Sequence, residues 1–70
     1  MKYVQFKFLV GTKTRKVKRF NKRMLRPPAD IPLHALEYRY LEGDDADEHL
    51  VNEWPDSYFS YDSKWKKIER

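Results

Sequence analysis

Val4, Phe6, Phe8 and Val10 occupy every second position near the start of the chain, with Tyr3, Gln5, Lys7 and Leu9 between them. Successive side chains on a strand point to opposite faces. This alternation, rich in aromatic and β-branched residues, therefore predicts a half-buried strand over 2–10. A strand is not stable alone in water and needs both pairing partners and a covering layer, so the chain is committed to building a sheet. Gly11 ends the run, and Gly11-Thr12-Lys13-Thr14 suits a short hairpin loop.

Beyond the loop, a strand from Thr14 to about Asn21 pairs back on the first. Val17 and Phe20 then fall on opposite faces, which calls for a bulge or a twist. A helix over 14–25 would align Val17, Phe20, Met24 and Leu25. It would also set Arg15, Lys16 and Lys18 against the positive end of its own dipole with no acid to offset them, and the strand is preferred for that reason. Arg26-Pro27-Pro28 is a stop, because two prolines continue neither a helix nor a central strand.

Asp30 to Gly43 carries helix punctuation: Asp30 as a cap, Pro32 in the first turn and Gly43 at the C-terminal end. Leu33, Leu36, Tyr40 and Leu41 would share one face. A strand over 36–41, with Leu36, Tyr38 and Tyr40 alternating, competes closely, and the helix is placed slightly ahead. Asp45 to Trp54 reads as a helix with acids in its first turn, Ala46, Leu50, Val51 and Trp54 on its inner stripe, and Pro55 closing it. Ser57 to Ile68 alternates again, with Phe59, Tyr61 and Trp65 in one phase and Asp62-Ser63 as the break of a terminal hairpin.

The expected fold is α+β: a small single domain over 1–70, with an N-terminal β-hairpin, one or two further strands, and a helix near 45–54. A small SH3-like β-barrel is the alternative if 36–41 is a strand. The basic hairpin covers 1–26, the Pro-Pro break 27–28, and an acidic and aromatic half 30–70. A chain of 70 residues buries only about 60% of its unfolded surface, so its stability margin is thin. Without cysteine it has neither disulfides nor thiolate zinc sites. Aromatic packing is the remaining resource. The expected core is Val4, Phe6, Phe8, Val10, Val17, Phe20, Leu33, Leu36, Tyr40, Leu41, Leu50, Val51, Trp54, Phe59, Tyr61, Trp65 and Ile68. No stretch reaches the roughly 20 apolar residues of a membrane span, and the N-terminus does not read as a signal peptide. The expected location is cytoplasmic, with no membrane partner.

Charge supplies the functional reading. Ten lysines and arginines precede the first acid, Asp30; from Asp30 to Asp62 ten carboxylates stand against Arg39 alone; the tail from Lys64 is basic again. A dense single-sign run attracts polyanions or acidic protein surfaces. Lys13, Arg15, Lys16, Lys18, Arg19, Lys22, Arg23 and Arg26 are the candidate phosphate contacts, the arginines with bidentate geometry. Phe20 and Tyr3 would stack on unpaired bases if exposed. The bland alternative is a solvated face that keeps the protein soluble, and the segment carries none of the recognised nucleic-acid-binding signatures.

The acids at Asp44, Asp45, Asp47, Glu48 and Glu53 suggest a hard cation, but a calcium loop starting at Asp45 would need glycine and glutamate where Leu50 and Asp56 stand. They read better as helix caps and counter-charge to the hairpin, and no metal or cofactor is expected. His34 and His49 are expected at the surface, and with no catalytic motif the chain reads as a non-enzyme. Tyr58, Trp65 and Lys66 form the candidate protein-docking set. The expected function is non-enzymatic binding of RNA or DNA phosphate through the basic hairpin. The alternative is a protein-interaction module, a small modulator or inhibitor docking on a nucleic-acid-processing enzyme. The expected state is a monomer, or weak self-association through opposite charge blocks.

Overall fold

The computed structural model describes residues 1–70. The early alternation does form a strand, β1 (Lys2–Lys7), and β2 (Thr12–Val17) pairs antiparallel to it from Lys2 opposite Val17 to Lys7 opposite Thr12. The turn comes three residues earlier than Gly11 suggested. It spans Phe8–Gly11, closed by the Phe8 N–H on the Gly11 carbonyl at 3.0 Å. Gly11 is the residue with positive φ, 79°, a conformation that a side chain resists. Val10, expected in the core, is thereby left 89% exposed at the tip, as is Leu9.

The second correction concerns 30–43. No helix forms there; β3 (Glu37–Glu42) lies antiparallel on the other side of β1, Lys2 opposite Glu42 and Lys7 opposite Glu37. Two short strands, β4 (Tyr61–Asp62) and β5 (Lys66–Lys67), both pair with β3 instead of forming a hairpin with each other. They act as one interrupted strand. Between Leu41↔Asp62 and Tyr38↔Lys66, residues 63–65 face only Arg39 and Tyr40, which is the count of a β-bulge. Ser63 repairs the ladder there: its hydroxyl oxygen accepts the Tyr40 N–H at 2.9 Å, and its own N–H donates to the Tyr40 carbonyl. The sheet order is β2-β1-β3 followed by β4 and β5, and the outer strands do not meet. The sheet is open, so the barrel alternative is not realised even though 37–42 is a strand.

Both faces of the sheet are covered at its centre. On one face Val4, Phe6, Tyr38 and Tyr40 form a cluster with Ala35, capped by Phe8, Val17, Phe20, Leu25, Ile31 and Ile68. On the other, Tyr3, Leu41 and Val51 cluster with Ala46, Trp54 and Phe59. The second layer is the 43–59 segment. Its helix, α1 (Glu48–Val51), is much shorter than the 45–54 expected, and Asp47 sits at its N-cap position without a side-chain capping bond. A single 3₁₀ turn follows at Asp56–Tyr58. The consequence for Tyr3 is complete burial, its hydroxyl donating to the Asp44 carbonyl at 2.5 Å, so it is unavailable for stacking on a base. Leu33, Leu36 and Leu50, counted with the core, lie 75%, 50% and 44% exposed. The architecture is a small antiparallel sheet of five strands with little helix, and no helix is long and apolar enough to cross a membrane.

Candidate functional site

After Val17 the chain runs from Lys18 to Leu36 without a helix or strand. Structureless connections of this length are uncommon in compact domains and usually carry function. Aromatic packing and tyrosine hydroxyls hold this one onto the sheet. Phe20 stacks on Tyr40, with ring centroids 4.7 Å apart and planes 22° from parallel, and more loosely on Tyr61 at 6.0 Å. The Tyr40 hydroxyl donates to the Arg26 carbonyl at 2.6 Å, and the Tyr38 hydroxyl to the Leu25 carbonyl at 3.3 Å. The Lys66 ammonium reaches the same Leu25 carbonyl at 3.3 Å. Asn21 turns the chain locally: its side-chain oxygen accepts the Arg23 N–H at 2.9 Å.

Between this loop and Tyr40 lies a groove of about 510 Å³, walled by Phe20, Met24, Pro27 and Pro28 and flanked by Arg19 and Arg26. Pro27 also borders a second depression, which is lined by Tyr38, Lys66 and Lys67. The β3–β5 pairing therefore carries the basic tail to the side of the basic loop. Lys67 was not among the residues singled out from the sequence; only the pairing register, which no local pattern announces, places it there.

The eight expected phosphate contacts divide into three groups. Lys13, Lys18, Arg19, Arg23 and Arg26 are exposed, with no carboxylate within ion-pair distance. Arg15 lies over the Phe6 ring, 5.1 Å from its centroid, and donates to the Asp30 carbonyl. Lys16 and Lys22 are turned towards acids, Lys16 to Asp45 at 2.9 Å and Lys22 to Glu42 at 2.7 Å. Hydrogen bonding and opposite charge hold the Asp45 and Glu42 carboxyls below the usual range, and the Asp45 bond pushes the Lys16 ammonium up. None of the remaining acids of 44–53 lines the groove, but Glu48 reaches round the β2 edge into another depression that Lys13 and Arg15 also line.

The docking set is not brought together. Tyr58 is 63% exposed and tilts against Trp54 at 5.7 Å. Trp65 is half-buried beneath the Lys7 ammonium at 4.4 Å and the Arg39 guanidinium at 4.6 Å. Lys66 reaches to the loop side. His34 and His49 are exposed on separate segments, and no three His, Asp or Glu side chains converge as metal ligands. Comparison with protein-family models, with curated proteins and with solved structures finds no match to this chain.

Proposed function

We propose that the protein binds nucleic acid without catalysis, through phosphate contacts from the loop side of its sheet. One observation carries this reading: five exposed cations, Lys13, Lys18, Arg19, Arg23 and Arg26, stand free of ion pairs, and no carboxylate lines the groove that Arg19 and Arg26 flank, although Glu48 shares a separate depression with Lys13 and Arg15. Among the ten N-terminal cations, intramolecular ion pairs take Lys7, Lys16 and Lys22. Each free cation that meets a phosphate releases a condensed counterion. With about five contacts, log K should fall against log salt with a slope of about −3.5 on a single strand or about −4.5 on a duplex. Arg23→Ser should weaken binding uniformly across sequences and make the slope shallower by about one. Fluorescence anisotropy titrations at several salt concentrations measure both. A slope that ignores Arg23→Ser, or no binding at low salt, overturns the reading.

The second reading, a small protein-interaction module acting on a nucleic-acid-processing enzyme, is favoured by the hairpin tip. Leu9 and Val10 are each 89% exposed there, and Leu33 is 75% exposed on the turn that follows the loop. Affinity capture at two salt concentrations, with and without nuclease, separates the two. A single protein that survives nuclease and is lost on Leu9→Ser with Val10→Ser would replace the first reading with the second.

A further inference from the structure

We infer that the groove between the 18–29 segment and Tyr40 seats one unpaired base, so that the nucleic acid bound is single-stranded. This rests on the reading above and narrows its ligand class. The first support is the character of the walls. Exposed cations alone satisfy a phosphate track, and an apolar recess adds nothing to it. Here Phe20, Met24, Pro27 and Pro28 give an apolar wall to a recess of about 510 Å³ whose remaining surface is polar, within the range of small-ligand sites and with no carboxylate among its lining residues. Arg19 and Arg26 flank it, an arrangement that suits a flat ring with a phosphate to either side.

The second support is the polar equipment. Asn21 lines the groove with its side-chain oxygen engaged by the Arg23 N–H and its amide nitrogen without a protein partner. The carbonyls of Pro27 and Pro28 accept no hydrogen bond from the protein. A base edge presents both acceptors and donors, and this rim offers the complement of each.

The third support is what the fold lacks for a duplex. Stacked, paired bases hide their faces, and a duplex is read in its grooves by a helix or a two-stranded ribbon. The helix α1 has four residues and sits on the acidic segment. The β1–β2 ribbon ends in Leu9 and Val10; of the cations nearest in sequence, Lys7 is turned to Glu37 and Trp65, and Lys13 lies three positions past the tip. Four of the five free cations, Lys18, Arg19, Arg23 and Arg26, gather instead on an irregular segment; Phe20 within it is already packed on Tyr40 and Tyr61 with the Lys2 ammonium 5.2 Å from its ring centroid, so the base is held by the recess and its arginines.

The test is anisotropy with the full chain, comparing a labelled oligothymidylate of about 12 nucleotides, within the single-strand site sizes known for small domains, with a duplex of equal length at the same salt. The single strand should bind about tenfold tighter. Ala29→Phe fills the groove from an exposed position and alters no charge. It should lower single-strand affinity about tenfold, to the duplex level, with the salt slope unchanged and the circular dichroism spectrum intact. Equal affinity of the native chain for both forms overturns this inference and leaves nucleic-acid binding standing. Failure to bind either overturns both. A single-strand preference that survives Ala29→Phe removes the base from this groove.

Discussion

Arg39 is the one cation in a stretch of ten acids, and it is also the one charged side chain drawn into the fold, 7% exposed. Its Nε donates to Gln5 Oε1 at 2.7 Å, one terminal nitrogen donates to Asp56 Oδ1 at 2.8 Å, and Asp62 lies 3.5 Å from the other. The guanidinium covers the Trp65 ring, with Lys7 over the same ring. The residue thus ties β1, the 3₁₀ turn and β4 to the middle of β3. Its partners Asp56 and Asp62 remain largely exposed, so removing the cation does not strand a buried anion. Arg39→Ala should therefore cost about 2 kcal/mol, from charge-assisted hydrogen bonds and lost packing, which is less than for a fully buried pair. Arg39→Met, which keeps much of the stem against Trp65, should cost less. Urea unfolding of the two variants checks the order. Nothing in the sequence marked Arg39 beyond its sign, because its importance comes from three partners 17 to 34 positions away.

At the level of elements, two N-terminal strands form as expected, though shorter and shifted, because Val4 and Phe6 alternate with polar Gln5 and Lys7; Tyr3 alone on the other face is also buried. β3 was read slightly in favour of a helix for a physical reason. Tyr38, Arg39, Tyr40 and Leu41 are buried in succession, since both faces of the sheet are covered there. A strand covered on both sides loses its period of two. Of the residues taken as helix punctuation, Asp30 lies in a bend, Pro32 opens the turn in which its carbonyl accepts the Ala35 N–H, and Gly43 extends the β1–β3 pairing by donating to the Met1 carbonyl at 3.0 Å. The acidic segment shrank to a single helical turn because its side chains are used sideways on β2. Asn52 Oδ1 accepts the Thr14 N–H at 2.6 Å, Asn52 Nδ2 donates to the Thr14 carbonyl at 2.8 Å, and Glu48 Oε1 accepts the Lys16 N–H at 3.1 Å. These bonds occupy the middle of an edge strand that would otherwise offer free backbone groups. Asn52→Ala should destabilise by about 2 kcal/mol, through the buried Thr14 groups, and raise the tendency to self-associate. Thermal unfolding and light scattering at increasing concentration report the two effects. The groove was the least legible element: Pro27-Pro28 announced a break, but only the Tyr40–Phe20 stack turns that break into a wall.

The whole molecule is a sheet whose two covering layers differ in charge, and its pH response follows from the ion pairs that each makes with a strand, Lys22 with Glu42 on β3 and Asp45 with Lys16 on β2. Glu42 and Asp45 titrate below their ordinary values because Lys22 and Lys16 hydrogen-bond to them. A carboxyl lowered in the folded state contributes stability above its unfolded pKa, about 4, and that contribution is lost as pH falls through the folded value. Burial raises the phenols of Tyr3, Tyr38 and Tyr40. A group raised in the folded state keeps its contribution below the unfolded pKa, about 10 for tyrosine, and loses it as pH rises through the folded value. Stability should therefore be level between about pH 5 and 9 and decline on both sides. Lys22→Gln should flatten the acid limb, and Tyr40→Phe the alkaline one. Urea midpoints measured across pH give the profile.

The sideways bonds of Asn52 and Glu48 at one margin, and the bulge at Ser63 on the other, have a consequence for life in a crowd. Strung as many copies along one polymer, or stored at high density, this small fold presents its neighbours with interrupted margins in place of a continuous seam along which to zip into fibres.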